Sequence, residues 1–103
     1  MEDMKMKVEK FINGDELTLQ VAGRVDTTNA GDFEKVVTTS LTGVKSLIVD
    51  FSRLDYISSA GLRVLLIAIK QMKRQGSMKV INANEMVQEI FEVTGFSDLV
   101  DME

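Results

Sequence analysis

The sequence predicts a single α/β domain over residues 1–103, built on a mixed sheet of four or five strands with an N-terminal antiparallel hairpin and right-handed βα crossovers. Three observations predict it. Apolar and polar residues alternate near the N-terminus, later segments carry apolar residues at three-to-four spacing, and short apolar runs separate those segments. A chain of 103 residues with 45% hydrophobic and 27% charged residues is long enough for one core and shows no break for a second domain.

Taken in order, Met4, Met6 and Val8 alternate with Lys5, Lys7 and Glu9, and Leu17, Leu19 and Val21 alternate with Thr18, Gln20 and Ala22, so both segments read as half-buried strands. Asn13-Gly14 between them suits the positive-φ positions of a type I′ turn, which makes the pair a hairpin. Gly23 is expected to end the second strand, and Asp26, Thr27 or Thr28 to cap a first helix carrying Ala30, Phe33, Val36, Val37 and Leu41. Leu47 to Phe51 lacks alternation and reads as a central parallel strand covered on both faces, ending at Asp50 in a polar loop. A second helix from about Ala60 to Gln75 has the stripe Leu62, Leu65, Leu66, Ile69 and Met72, with Lys70, Lys73 and Arg74 at its negative end and Gly76 at its C′ position. Met78 to Ile81 forms a further strand, and Asn82 or Asn84 caps a third helix with Met86, Val87, Ile90 and Phe91 that stops near Gly95. Met6, Met72, Met78 and Met86 all fall on core stripes. The tail from Phe96 carries no firm signal.

Composition excludes several chemistries. A net charge of −4 leaves no basic excess for phosphates, so nucleic acid is not expected as a partner. No histidine and no cysteine are present, which removes the usual neutral-pH base, thiolate nucleophiles and the commonest metal ligands, and no cofactor is expected. Neither Gly-x-Ser-x-Gly nor a Gly-x-x-x-x-Gly-Lys loop occurs, so the reading is not an enzyme, with a Ser/Lys pair left open. Met1 to Lys10 mixes lysines with apolar residues and no long apolar run follows, while the longest run, Val64 to Ile69, falls far below the ~18 residues of a membrane span. A cytoplasmic protein without membrane insertion is expected.

The informative stretch is Ile57-Ser58-Ser59-Ala60-Gly61-Leu62, which opens a strongly apolar helix. Unpaired N–H groups and the macrodipole favour negative charge there, so a phosphoryl group on Ser58 or Ser59 meets a suitable field. Gly61 presents no side chain, which would let a partner backbone or a phosphate approach. Capping by serine is the plainer explanation of the same residues, worth about 1 kcal/mol over alanine.

Ile57-Ser58-Ser59-Ala60-Gly61-Leu62 after a Val-Asp-Phe strand resembles the signature of STAS domains, the bacterial anti-sigma factor antagonists. Gly23-Arg24-Val25-Asp26, with Ala30 and Phe33, resembles that family's other recurrent segment, and element order matches over residues 5–100. The family pattern Asp-Ser-x-Gly-Leu, aligned on Gly61-Leu62, puts the phosphorylated serine at Ser59, with Ser58 in the usual aspartate position as a cap or competing acceptor. Arg63 replaces a residue that is commonly small, and the chain stops about where many members begin a last helix.

The resemblance implies partner switching. The unphosphorylated protein binds an anti-sigma factor that is also a serine kinase of histidine-kinase-like ATPase fold, and so releases a sigma factor or other regulated partner. Phosphorylation at Ser59 ends the complex, and a PP2C-type, metal-dependent phosphatase resets it. Asp26, Ser58, Ser59, Ala60, Gly61, Leu62 and Arg63 are the implied partner-binding residues, Asp26 having helix capping as its plainer role. The alternative within the family is an accessory subunit or scaffold module of a transporter or stress-signalling complex. Asp50 reads as a structural loop residue, and Arg53 and Asp55 as solvated loop charges that are also placed to touch a partner.

Overall fold

Residues 6–103, which the computed structural model describes, begin with the expected hairpin of β1 (Met6–Asn13) and β2 (Glu16–Val25). Met4 lies outside the described residues. Its turn is Gly14-Asp15 rather than Asn13-Gly14, because Asn13 still pairs with Glu16. Gly14 alone takes a positive φ, +64°, the pattern of glycine at the first central position of a type II′ turn. Nor does Gly23 end β2. At φ +91° it lies beside an irregularity in the β2–β3 register, and the strand continues to Val25.

The remaining elements are α1 (Ala30–Ser40), β3 (Ser46–Ile57), α2 (Ser59–Gln75), β4 (Ser77–Ile81), α3 (Glu85–Thr94), a 3-10 turn at Phe96–Asp98 and β5 (Asp101–Met102). Sheet order is β1-β2-β3-β4-β5, antiparallel only at the first pair. The unassigned tail thus supplies the fifth strand.

Strand order explains a departure from expectation at β3. Right-handed crossovers that advance in one direction along a sheet put their helices on one face. That face is buried under the helix layer at Leu17, Leu19, Val21, Leu47, Val49 and Phe51, whereas Thr18, Gln20, Ala22, Ile48 and Asp50 on the other are only half-buried. β3 is therefore covered on one side and alternates. It also runs on to Ile57, so Asp50, Arg53 and Asp55 are strand residues and not loop residues, with Arg53 and Asp55 exposed. No helix among the described residues is long and apolar enough to cross a membrane.

The core joins Phe33, Val37 and Leu41 of α1, Leu62, Val64, Leu65, Ala68, Ile69 and Met72 of α2, and Val87 and Phe91 of α3 to the sheet. Phe91 meets Phe51 edge-on with centroids 6.3 Å apart, which anchors α3 to β3. Val36 and Leu66 are half-buried flanks of their stripes, and Met86 is 53% exposed, outside the core where it was expected. Asn84 caps α3 by accepting from the Val87 amide at 2.8 Å, while Asn82 takes a positive φ of 63° and is no cap. Gly76 ends α2 for a reason other than helicity: a Cβ there would collide with the Lys45 carbonyl, because the chain passes against the start of β3.

Candidate functional site

Parallel strands β2 and β3 finish side by side, with Val25 opposite Ile57. The Ser58 amide donates to the Val25 carbonyl at 2.8 Å, so α2 springs from the same edge at which the β2–α1 loop leaves. Ser58 is the N-cap residue, with an extended backbone and a hydroxyl that accepts from the Gly61 amide at 3.4 Å. It is half-buried and holds that long capping contact. Ser59 is the first helical residue, exposed, and its hydroxyl makes no hydrogen bond among the described residues. Serine and aspartate serve equally at such a position because both side chains accept from the second or third helical amide.

The missing side chain of Gly61 opens toward the fold's interior. The residue is buried, and a Cβ would fall 2.7 Å from both Ile57 Cγ1 and Val25 Cγ1, so the glycine lets the first turn of α2 rest on the two strand ends. Leu62 is buried behind it at 5% exposure. Ser59, the half-buried Ala60 and the exposed Arg63 line a groove of about 300 Å³ between the starts of α1 and α2. Ala30, Gly31 and Val64 complete its floor, and Glu34 of α1 faces it from the other side.

Asp26 follows the last residue of β2 and does not cap α1. The N-cap position is Asn29, which makes no side-chain capping bond; its amide instead accepts from the Asp26 N–H at 2.9 Å and donates to the Arg24 carbonyl at 2.9 Å. Asn29 is 8% exposed and ties the loop shut. The Asp26 carboxylate accepts from the Thr28 hydroxyl at 2.6 Å and the Thr28 amide at 2.9 Å. Those bonds, the hydroxyl's first, hold its carboxyl below the ordinary range.

On the opposite side of the strand ends, the Arg24 guanidinium lies 4.7 Å from the centre of the Tyr56 ring. Further down that open face, partial burial pushes the Asp50 carboxyl up, but bonds from the Ser52 amide, Asn82 and Gln20 outweigh it and leave the group below its usual range.

Sequence reasoning missed Asn29, Glu34 and the Arg24–Tyr56 pair. Glu34 had a signal, since it stands one helical turn after Ala30; the other two depend on tertiary register and had none. No group of three acidic side chains that could hold a metal ion forms among the described residues.

Comparison with known proteins gives one family. Its model, described as the STAS domain, matches residues 7–103. A Bordetella bronchiseptica protein with the provisional name anti-sigma factor antagonist BtrV is 38% identical over 95 residues, covering 90% of this chain and 80% of that protein. The anti-sigma-B factor antagonist of Bacillus subtilis is 30% identical over 101 residues, covering 96% of this chain and 92% of that one. Among solved structures, an anti-sigma factor antagonist from Mycobacterium paratuberculosis superposes with a TM-score of 0.87 at 15% identity, covering 95% and 85% of the two chains, and shares the fold. The match along almost the whole chain, on a sheet that presents the Ser58-Ser59 turn at the ends of β2 and β3, means that this chain belongs to the STAS domain family.

Proposed function

We propose that this protein is an anti-sigma factor antagonist, a regulatory binding protein rather than an enzyme, acting in the cytoplasm through the groove beside Ser59. In its unphosphorylated form it binds an anti-sigma factor that is also a serine kinase of histidine-kinase-like ATPase fold, and the regulated sigma factor or other partner is released. The kinase moves the γ-phosphoryl group of MgATP to Ser59 Oγ, with ADP leaving and the hydroxyl proton lost. A PP2C-type phosphatase returns the serine by hydrolysis.

The observation that carries this reading is the contrast between adjacent hydroxyls: Ser58 is engaged in capping, whereas Ser59 is exposed without an internal partner. A phosphate adds about −1.5 to −2 charge, which a closed interface cannot accommodate without cations opposite. Like-charge juxtaposition costs several kcal/mol, and each ~1.4 kcal/mol is tenfold in affinity, so one modification is enough to separate partners.

The test is to incubate the protein with its candidate kinase and MgATP and measure its mass. One added phosphate is expected, absent in Ser59→Ala and retained in Ser58→Ala. Persistence of the phosphate in Ser59→Ala would overturn the assignment, and constitutive binding without any transfer would point to the accessory or scaffold role.

A further inference from the structure

The groove beside Ser59 holds one cation, and its position along α2 gives it a use. Arg63 lies four residues after Ser59, exposed, and forms no ion pair within 4.0 Å among the described residues. Residues four apart on a helix have Cβ atoms about 5–6 Å apart, and a long helical side chain lies back over the turn preceding its own Cα. An acidic group N-terminal to a basic one at this spacing is the favourable orientation. At that spacing the Arg63 side chain is long enough to come within reach of a phosphoryl group on Ser59. Glu34 lines the far side of the same groove and offers that group only repulsion.

We propose that Arg63 clamps the phosphoryl group of phosphorylated Ser59, so that modification both adds negative charge and withdraws the groove's one cation from a partner. This rests on the phosphoserine reading of Ser59 given above and deepens it. Arginine suits the task because its fork of N–H donors matches phosphate oxygens. Among the other charged groups, Asp32 and Lys35 of α1, Asp26 and Arg24 at the end of β2 and Asp55 of β3 do not line the groove, and Lys70, Lys73 and Arg74 lie further along α2. Glu34 and Arg63 are the two charged residues that line the groove.

Phosphoserine can be placed at position 59 during translation by stop-codon reassignment, which needs no kinase and keeps this test apart from the functional one. The readout is a phosphorus-31 NMR titration of the second phosphate ionisation, which lies at about pH 6 in a free phosphoserine. Compared with the otherwise native phosphoprotein, Arg63→Gln is expected to raise that midpoint by several tenths of a unit. Arg63→Lys should raise it less, and Glu34→Gln should lower it. Arg74→Gln makes the same change in net charge at the far end of α2 and is expected to leave the midpoint in place. An Arg63→Gln shift no larger than that of Arg74→Gln overturns the clamp, even if phosphorylation still breaks the complex. Absence of kinase transfer to Ser59 with the Arg63 shift intact would instead defeat the functional reading and leave the clamp standing.

Discussion

The Ser58 amide is bonded to the Val25 carbonyl at 2.8 Å, so the loop that starts α2 cannot move independently of the end of β2. Gly61 is what allows α2 to lie this close. Gly61→Ala would put a methyl group 2.7 Å from Val25 and Ile57 side-chain carbons, neither at the free end of a long flexible chain. Overpacking of this kind costs about 1–3 kcal/mol, more than alanine's better helix propensity returns in a first turn. A lower urea midpoint with an unchanged slope is expected; equal stability would mean that the first turn shifts freely.

Ser58 is expected to behave as a cap. Ser58→Ala should lower stability by about 0.5–1 kcal/mol, the lower part of the range for cap removal, because the bond to the Gly61 amide is long at 3.4 Å. Ser58→Asp should restore or exceed native stability, since aspartate caps equally well and adds a charge that the macrodipole favours. Thermal unfolding of the three proteins distinguishes a cap from a side chain that merely occupies the turn.

These two residues also show what was legible in the sequence. Period and capping chemistry are local, so the hairpin, three helices and the start of α2 were readable to within a residue or two. The side of the sheet on which helices lie is not local. The reading of β3 as doubly covered came from the apolar run Leu47-Ile48-Val49, in which Ile48 faces the open side, and only strand order reveals that. At Gly61 a missing side chain is visible in sequence and suggests an opening, while the Val25 and Ile57 atoms that require its absence are not visible there. The resemblance at Gly61-Leu62 points to Ser59, but Glu34, which lines the same groove, belongs to another helix and lies beyond the reach of a local motif.

Asp26 makes stability depend on acid. Its carboxyl is held below the ordinary value of 3.8 by the Thr28 hydroxyl and amide, so the charged form is favoured in the folded chain. A depressed group contributes stability above its unfolded value and loses it as pH falls through the folded one. Asp26→Asn keeps an acceptor oxygen for Thr28 but removes the charge. The variant should be less stable than the native chain at pH 7, with the gap closing below pH 3.8. A gap that stays constant over that interval would mean that the charge contributes nothing to the loop.

Gln75 secures the far end of α1. Its amide donates to the Leu41 and Val44 carbonyls, both at 2.7 Å, from the last residue of α2, and α1 has no basic residue in its own last turn to do so. Gln75→Leu leaves the Leu41 carbonyl with only the Val44 amide at 3.1 Å and takes the side-chain donor from the Val44 carbonyl in a half-buried position, at a cost of about 1–3 kcal/mol. Gln75→Glu keeps the shape but turns a carboxylate toward two carbonyl oxygens, so it should be the more damaging of the two at neutral pH. Denaturant unfolding that ranks Gln75→Leu below Gln75→Glu would show that packing of the side-chain stem matters more than its hydrogen bonds.

Ser59→Asp separates stability from binding. Position 59 is the first residue of α2, exposed, in a first turn that has no acidic residue of its own. A carboxylate there meets the positive end of the helix and should stabilise the fold by about 0.3–1 kcal/mol at low salt. On the proposed function, the same charge at the rim of the groove should weaken binding of the proposed anti-sigma factor partner at least tenfold, which corresponds to about 1.4 kcal/mol. Unfolding and binding measurements on one preparation must therefore move in opposite directions: a higher or equal melting temperature together with weaker binding. Weaker binding accompanied by a lower melting temperature would trace the loss to damage in the first turn of α2 rather than to electrostatic exclusion at its surface.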